Sequence, residues 1–170
     1  DDEALHRNIV HNVTHLLISN LAPSDRFGNP GNGWVDEGLA SWFEDKVGGK
    51  CTNYCFEEVL MQDGASYKGG RWRVAVRKIA DEGKLVSITA LAPKNGDQLA
   101  FVEHAQSFAM VDHLIAVHGA VKMRDFLRQL KSKTPMRDAM SAVYGFGPLQ
   151  FDPAFATWVK ATYPQQEQAR

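Results

Sequence analysis

The chain has no excess of charge of either sign. Its 19 Lys and Arg stand against 20 Asp and Glu, a net charge of −1. That balance gives no electrostatic reason to expect a nucleic-acid or anionic-membrane partner. No apolar run approaches the roughly 18 residues a membrane-spanning helix needs, and no secretory leader opens the chain. It starts at Asp1 without a methionine, which reads as processing or as a piece of something longer. Strand-like alternation is scarce, and repeats and low-complexity tracts are missing. Cysteine is nearly absent too, with only Cys51 and Cys55 in "KCTNYCFEE". So close a pair suits either a small disulfide loop in an exported protein or two thiols in a cytosolic one. The size of the chain tilts that choice towards a periplasmic or extracellular setting. A zinc knuckle would need two further ligands, and none stands at a suitable spacing.

What is present is an ordinary globular composition of 44% hydrophobic and 23% charged residues over 170 positions. That length suits one domain with a sizeable core. The reading is mainly α throughout, with one helical domain over 1–163 and a frayed tail at 164–170. A first helix runs from about Asp2 to Leu21, with Leu5, Ile9, Val13, Leu16 and Leu17 recurring as a stripe expected to be buried. The loop "APSDRFGNPGNG" follows, then a helix from Gly33 to Val47 with Leu39, Trp42 and Phe43 expected inward. "CFEEVLMQ" offers a short helix, and "GRWRVAVRKIADEG" a longer one closed by Gly83. "LVSITALAPKNGDQ" reads as a connection. A long helix spans about Asp97 to His118, burying Phe101, Phe108, Val111, Leu114 and Ile115. "AVKMRDFLRQLKSK" and "TPMRDAMSAVYG" make two more. A last helix covers "DPAFATWVKATY", with Pro153 expected at its start, where a missing N–H costs nothing.

The chemistry concentrates in "NIVHNVTHLLISNL". His11 and His15 stand four residues apart, and four residues turn a helix through about 400°, so both imidazoles point the same way. Two such rings can close on one ion, and zinc wants a third protein ligand. "GWVDEGLASWFED" places Glu37 at the start of the next helix, where its carboxylate can reach back. Taken alone, the histidine spacing is a weak signal that arises often by chance.

Taken together, these segments resemble the gluzincin peptidases, in particular peptidase-MA-like metallohydrolases. Those carry a helical H-E-x-x-H, a loop, then W-x-x-E-G-x-A, matched by His11, His15, Trp34, Glu37, Gly38, Leu39 and Ala40. A third echo, "FVEHAQSFAMVDHLIAVHG", is similar to a family segment with Y-A-Q-S opening a helix. The order holds from about Asn8 to Tyr163. The resemblance implies a Zn²⁺ ion on His11, His15 and Glu37 and a peptide or protein substrate. It also implies a general-base Glu after the first His, which takes a proton from the activated water and passes it to the leaving amine. Asn12 occupies that place and carries no charge. A tyrosine that helps polarise the substrate carbonyl aligns with His104, whose ring could still donate a hydrogen bond. Rescue by Asp36 is unfavoured, because neighbouring helical residues point about 100° apart.

The family's β-sheet normally precedes the metal helix, and its edge strand holds the peptide. Only ten residues precede His11 in this chain, so that sheet either belongs to an upstream domain of the same protein or is lacking. The remaining signals have plain readings. "NVT" is formally a glycosylation sequon. His6 lies off the metal face, His113 and His118 read as structural, and "RQLKSK" reads as a solvated helix end. Four functions stay open: a zinc peptidase impaired at Asn12, a non-enzymatic pseudopeptidase that binds peptide or protein, an active peptidase silenced by an engineered Asn12, and a purely structural helical domain.

Overall fold

A computed structural model of the chain describes residues 2–21, 31–49, 51 and 72–166. Among these residues every regular element is helical. In chain order they are α1 (Asp2–Asn20), α2 (Gly33–Gly48), α3 (Trp72–Asp81), α4 (Ile88–Leu91), a 3₁₀ turn (Gly96–Gln98), α5 (Phe101–His118), α6 (Ala120–Lys131), α7 (Met136–Tyr144) and α8 (Pro148–Thr162). The short helix expected around "CFEEVLMQ" lies outside the described residues.

α5 is the axis of the fold. Every residue from Glu103 to Leu114 is buried, as befits a helix surrounded on all sides. α2 crosses it closely because Gly38 has no side chain. A Cβ there would stand 2.6 Å from the Ser107 carbonyl oxygen, so the backbones approach as only glycine allows. α3, α6 and α8 pack around the remaining faces of α5, enclosing Trp72, Phe108, Phe126, Phe151 and Phe155, each with less than 2% of its surface exposed. α1 lies against α2 on the outside of this assembly. Its last carbonyls, on Ile18 and Ser19, accept hydrogen bonds from the buried Lys131 amine of α6. A cation at a helix C-terminus also complements the helix dipole.

The segment expected as a plain connection before α5 contains α4 and the 3₁₀ turn, and it is strapped down. Gln106 donates to the Val86 carbonyl at 2.6 Å and accepts from the Val86 N–H at 2.9 Å. Lys94 reaches both oxygens of Glu103, at 2.5 and 2.7 Å. Two backbone bonds then tie this strap to the start of α2, Asn32 N–H to the Ala92 oxygen at 2.7 Å and Gly33 N–H to the Lys94 oxygen at 2.9 Å.

Three expectations need correcting. The α1 stripe of Leu5, Ile9, Val13, Leu16 and Leu17 faces outward, each residue between 43% and 63% exposed. The side of α1 that packs on α2 is the one carrying His11, Thr14 and Ile18, which are buried. Phe43 is 39% exposed, although Leu39 beside it is buried as expected. Pro153 lies inside α8, whose first residue is Pro148. Gly147 opens that helix, its N–H donating to Gln150 Oε1 at 3.0 Å, and Pro148 takes the position where a missing N–H is harmless.

Candidate metal centre

The crossing of α1 and α2 brings the three expected ligands together. One helical turn apart on α1, His11 and His15 direct their Nε2 atoms to within 3.0 Å of each other. Glu37 approaches from α2, with Oε2 3.5 Å from His11 Nε2 and Oε1 3.9 Å from His15 Nε2. One donor atom of each residue lies within 4.8 Å of the others. A zinc ion with bonds of about 2 Å holds its donors a little over 3 Å apart, so small side-chain adjustments suffice.

Two carboxylates back the histidines. His11 Nδ1 bonds to the buried Glu44 Oε1 at 2.5 Å, and His15 Nδ1 lies 3.0 Å from Asp36 Oδ1. A carboxylate on the outer ring nitrogen fixes the tautomer, raises basicity and leaves Nε2 free for a metal. The rings are therefore held in the orientation a metal ligand needs.

The electrostatics follow from this crowding. Burial opposes a charge on His11, but hydrogen bonds and attraction from Glu37 and Glu44 outweigh it and push the pKa up to about 9. Burial also opposes ionisation of Glu37, yet the close approach of His11 and the histidines around it hold its carboxyl below the usual range. Asp36 is shifted upward, chiefly by desolvation. Among the three residues that face one another here, Glu37 Oε2 is a buried oxygen with no hydrogen bond of ordinary geometry, 3.5 Å from His11 Nε2 and 3.8 Å from His104 Nδ1. Leaving a buried carboxylate oxygen without a donor is costly, and a cation between it and the two imidazoles would satisfy it. The donor set, its carboxylate backing and this orphan oxygen fit a metal.

Glu37 also meets His104 of α5. This histidine is 2% exposed, with Nδ1 3.8 Å from Glu37 Oε2, and burial lowers its pKa. Gly96 of the strap comes close as well, since a Cβ there would lie 2.7 Å from Glu37 Oε1. Glu37 is thus held between the α1 histidines on one hand and His104 and Gly96 on the other.

Asn12 takes no part in this cluster. Its side chain is exposed and turns back along α1, where Nδ2 donates to the Asn8 carbonyl at 2.9 Å and to Asn8 Oδ1 at 2.6 Å. Asp36, the neighbour of Glu37, lies against His15 Nδ1. Glu44 escaped the sequence reading altogether. The signal was available, because seven residues turn a helix through about 700° and so return Glu44 to the face of Glu37.

With two histidines and a glutamate assembled on HNVTH and WVDEGLA, comparison with known families becomes decisive. The description of the peptidase MA superfamily matches residues 4–161. The chain belongs to the peptidase MA superfamily. As a member of it, the chain is a metallopeptidase-like module, and the match spans α1 through nearly all of α8. No curated protein and no solved structure matches the chain.

Of the other residues singled out, His113 and His118 lie far along α5 among aromatic rings, as structural histidines do. His6 is exposed. Cys51 is a buried thiol that donates to the Ser41 carbonyl at 3.4 Å, while Cys55 lies outside the described residues.

Proposed function

We propose that this chain is a zinc-binding, gluzincin-like peptidase module in which water activation is crippled. The observation that carries the proposal is the convergence of His11 Nε2, His15 Nε2 and the unpartnered Glu37 Oε2, with Glu44 and Asp36 behind the two rings. Two imidazoles and one carboxylate favour zinc over calcium or magnesium, which prefer all-oxygen sites. When bound at such a site, zinc supplies a Lewis acid and a coordination position left for water or a substrate carbonyl.

The chain's own residues then set the limit. The Asn12 amide has no charge to accept a proton with, and its Nδ2 is engaged with Asn8. Loss of a positioned general base costs on the order of 10²–10⁴ in rate. Asp36 gives no replacement, since its carboxylate is committed to His15. The position of His104 against Glu37 supports a part in steadying that ligand more than in polarising a substrate carbonyl. A peptide or protein segment is the ligand this site suits, and capture without turnover is the second reading, favoured by Asn12.

The test is metal content and peptidase activity of the chain, measured beside Asn12→Glu and His11→Ala. About one zinc per chain, lost in His11→Ala, with peptide cleavage appearing only in Asn12→Glu, is the expected outcome. No zinc in the unaltered chain would sink the site. Full cleavage without Asn12→Glu would show that another group accepts the proton.

A further inference from the structure

α1 ends without a cation of its own, since its last turn holds no basic residue. The carbonyls of a last turn lack the N–H groups that would follow along the helix, and they carry the negative end of its dipole. α6 supplies what α1 lacks. Lys131, 113 positions from Ile18 in the chain, is buried and donates from Nζ to the Ile18 oxygen at 3.1 Å and to the Ser19 oxygen. Ile18 and Ser19 follow His15 by three and four positions, so the ammonium grips the turn immediately beyond the second histidine. Its charge also lies within electrostatic reach of Asp36, the carboxylate against His15 Nδ1. Burying an ammonium costs free energy, and two carbonyls and a nearby carboxylate offset it.

The two halves of the metal centre are thereby referred to one core. Glu37 is located by His104 of α5 and by Gly96 of the strap. The histidines come on α1, and Lys131 ties the end of α1 to α6. Met123, Phe126, Leu127 and Leu130 of α6 belong to the same core as Phe108 of α5. A binding constellation tolerates misplacement of only about 0.5 Å, and a shift of α1 along or across α2 moves both imidazoles together. We propose that Lys131 is a positioning residue of the metal centre, setting α1 so that His11 and His15 meet Glu37, a role that rests on the zinc site proposed above.

Zinc affinity of the whole chain, by competition against a chelating dye, tests this beside Lys131→Met, Lys131→Gln and Lys131→Arg. Loss of the cation should weaken zinc about tenfold, the lower end of the range for residues that act on a ligand from outside. Lys131→Gln keeps one donor and serves where Lys131→Met does not fold. Lys131→Arg keeps the charge and both donations and should recover most of the affinity. Cobalt(II) placed in the site reads its geometry through visible absorption, which a change in fold stability alone leaves unmoved. That absorption should differ between the unaltered chain and Lys131→Gln. Zinc bound as tightly by folded Lys131→Gln as by the unaltered chain overturns the positioning role, as does a cobalt spectrum that no variant changes. Lys131→Arg binding no tighter than Lys131→Gln overturns it too. No zinc on the unaltered chain removes the site itself and this role with it, a failure distinct from zinc bound equally by every variant.

Discussion

Glu37 stands at the centre of a buried charged cluster and Arg73 at the centre of a partly buried one, and α2 contributes to both. Around Arg73 every charge is answered. Its guanidinium makes two hydrogen bonds to Asp45, at 2.8 and 2.6 Å, and one to Asp112 at 3.4 Å. Asp112 also accepts from the Trp42 indole at 3.0 Å and from the Tyr163 hydroxyl at 2.9 Å. The guanidinium stacks over Phe108, 5.0 Å from the ring centre. Around Glu37 the balance is different. Three carboxylates, Asp36, Glu37 and Glu44, surround His11 and His15, and Glu37 Oε2 keeps no donor. Both clusters join helices, but only one is complete in itself. A complete cluster stabilises the fold; the other keeps a buried carboxylate oxygen that a cation could satisfy.

The comparison can be broken from either end. Arg73→Ala would turn the complete cluster into an open one, leaving Asp45 and Asp112 facing each other. The expected loss is about 3–4 kcal/mol of stability, the lower part of the range for a broken buried pair. The lower part applies because 34% of the Arg73 side chain is exposed. Urea unfolding checks it, and zinc binding by the molecules that remain folded should be unchanged.

A proton does similar damage next door. His113 follows Asp112 on α5 and is enclosed by Phe151, Phe155 and Trp158, and burial lowers its pKa from 6.5 to about 4. Above pH 6.5 the ring is neutral folded or unfolded and contributes nothing. As pH falls from 6.5 towards 4 the unfolded chain binds the proton more readily, so stability declines, by about 3 kcal/mol once below both values. Unfolding free energies of the chain and of His113→Phe, compared across that interval, should differ in slope. Equal slopes would remove His113 from the acid response.

The smallest effect belongs to the open cluster. Glu44→Gln keeps the shape but weakens the hold on His11 Nδ1. Loss of such a backing carboxylate typically lowers metal affinity 10–100-fold, about 1.4–2.7 kcal/mol. Competition against a chelating dye measures it. An affinity unchanged by Glu44→Gln would show that His11 needs no backing.

Much of the site was legible because helical spacing is local. His11 and His15 share a face whatever else the chain does, and Glu37 follows at the head of the next helix. Glu44 obeyed the same rule at seven residues and was missed because no motif drew attention to it. The Asp36 contact was not legible, because it depends on where His15 swings once α1 meets α2. The α1 stripe was misread for a related reason. Periodicity reports that a side is apolar, not which of two apolar sides meets the core. Pro153 was misplaced because Pro148, five residues earlier, could also open α8.

The amino-acid order alone therefore determined the longer helices, the histidine pair, the carboxylate that follows it and the uncharged Asn12. These rest on residue type and on a repeat of 3.6 residues per turn. The tertiary structure decided which side of α1 faces inward, that Glu44 and Asp36 stand behind the imidazoles, and that His104 and Gly96 meet Glu37 from α5 and the strap. Those relations join residues dozens of positions apart in the chain. They arise where α1 crosses α2 and where Gly38 and Gly96 let α2 approach α5 and the strap, and no local pattern records such crossings.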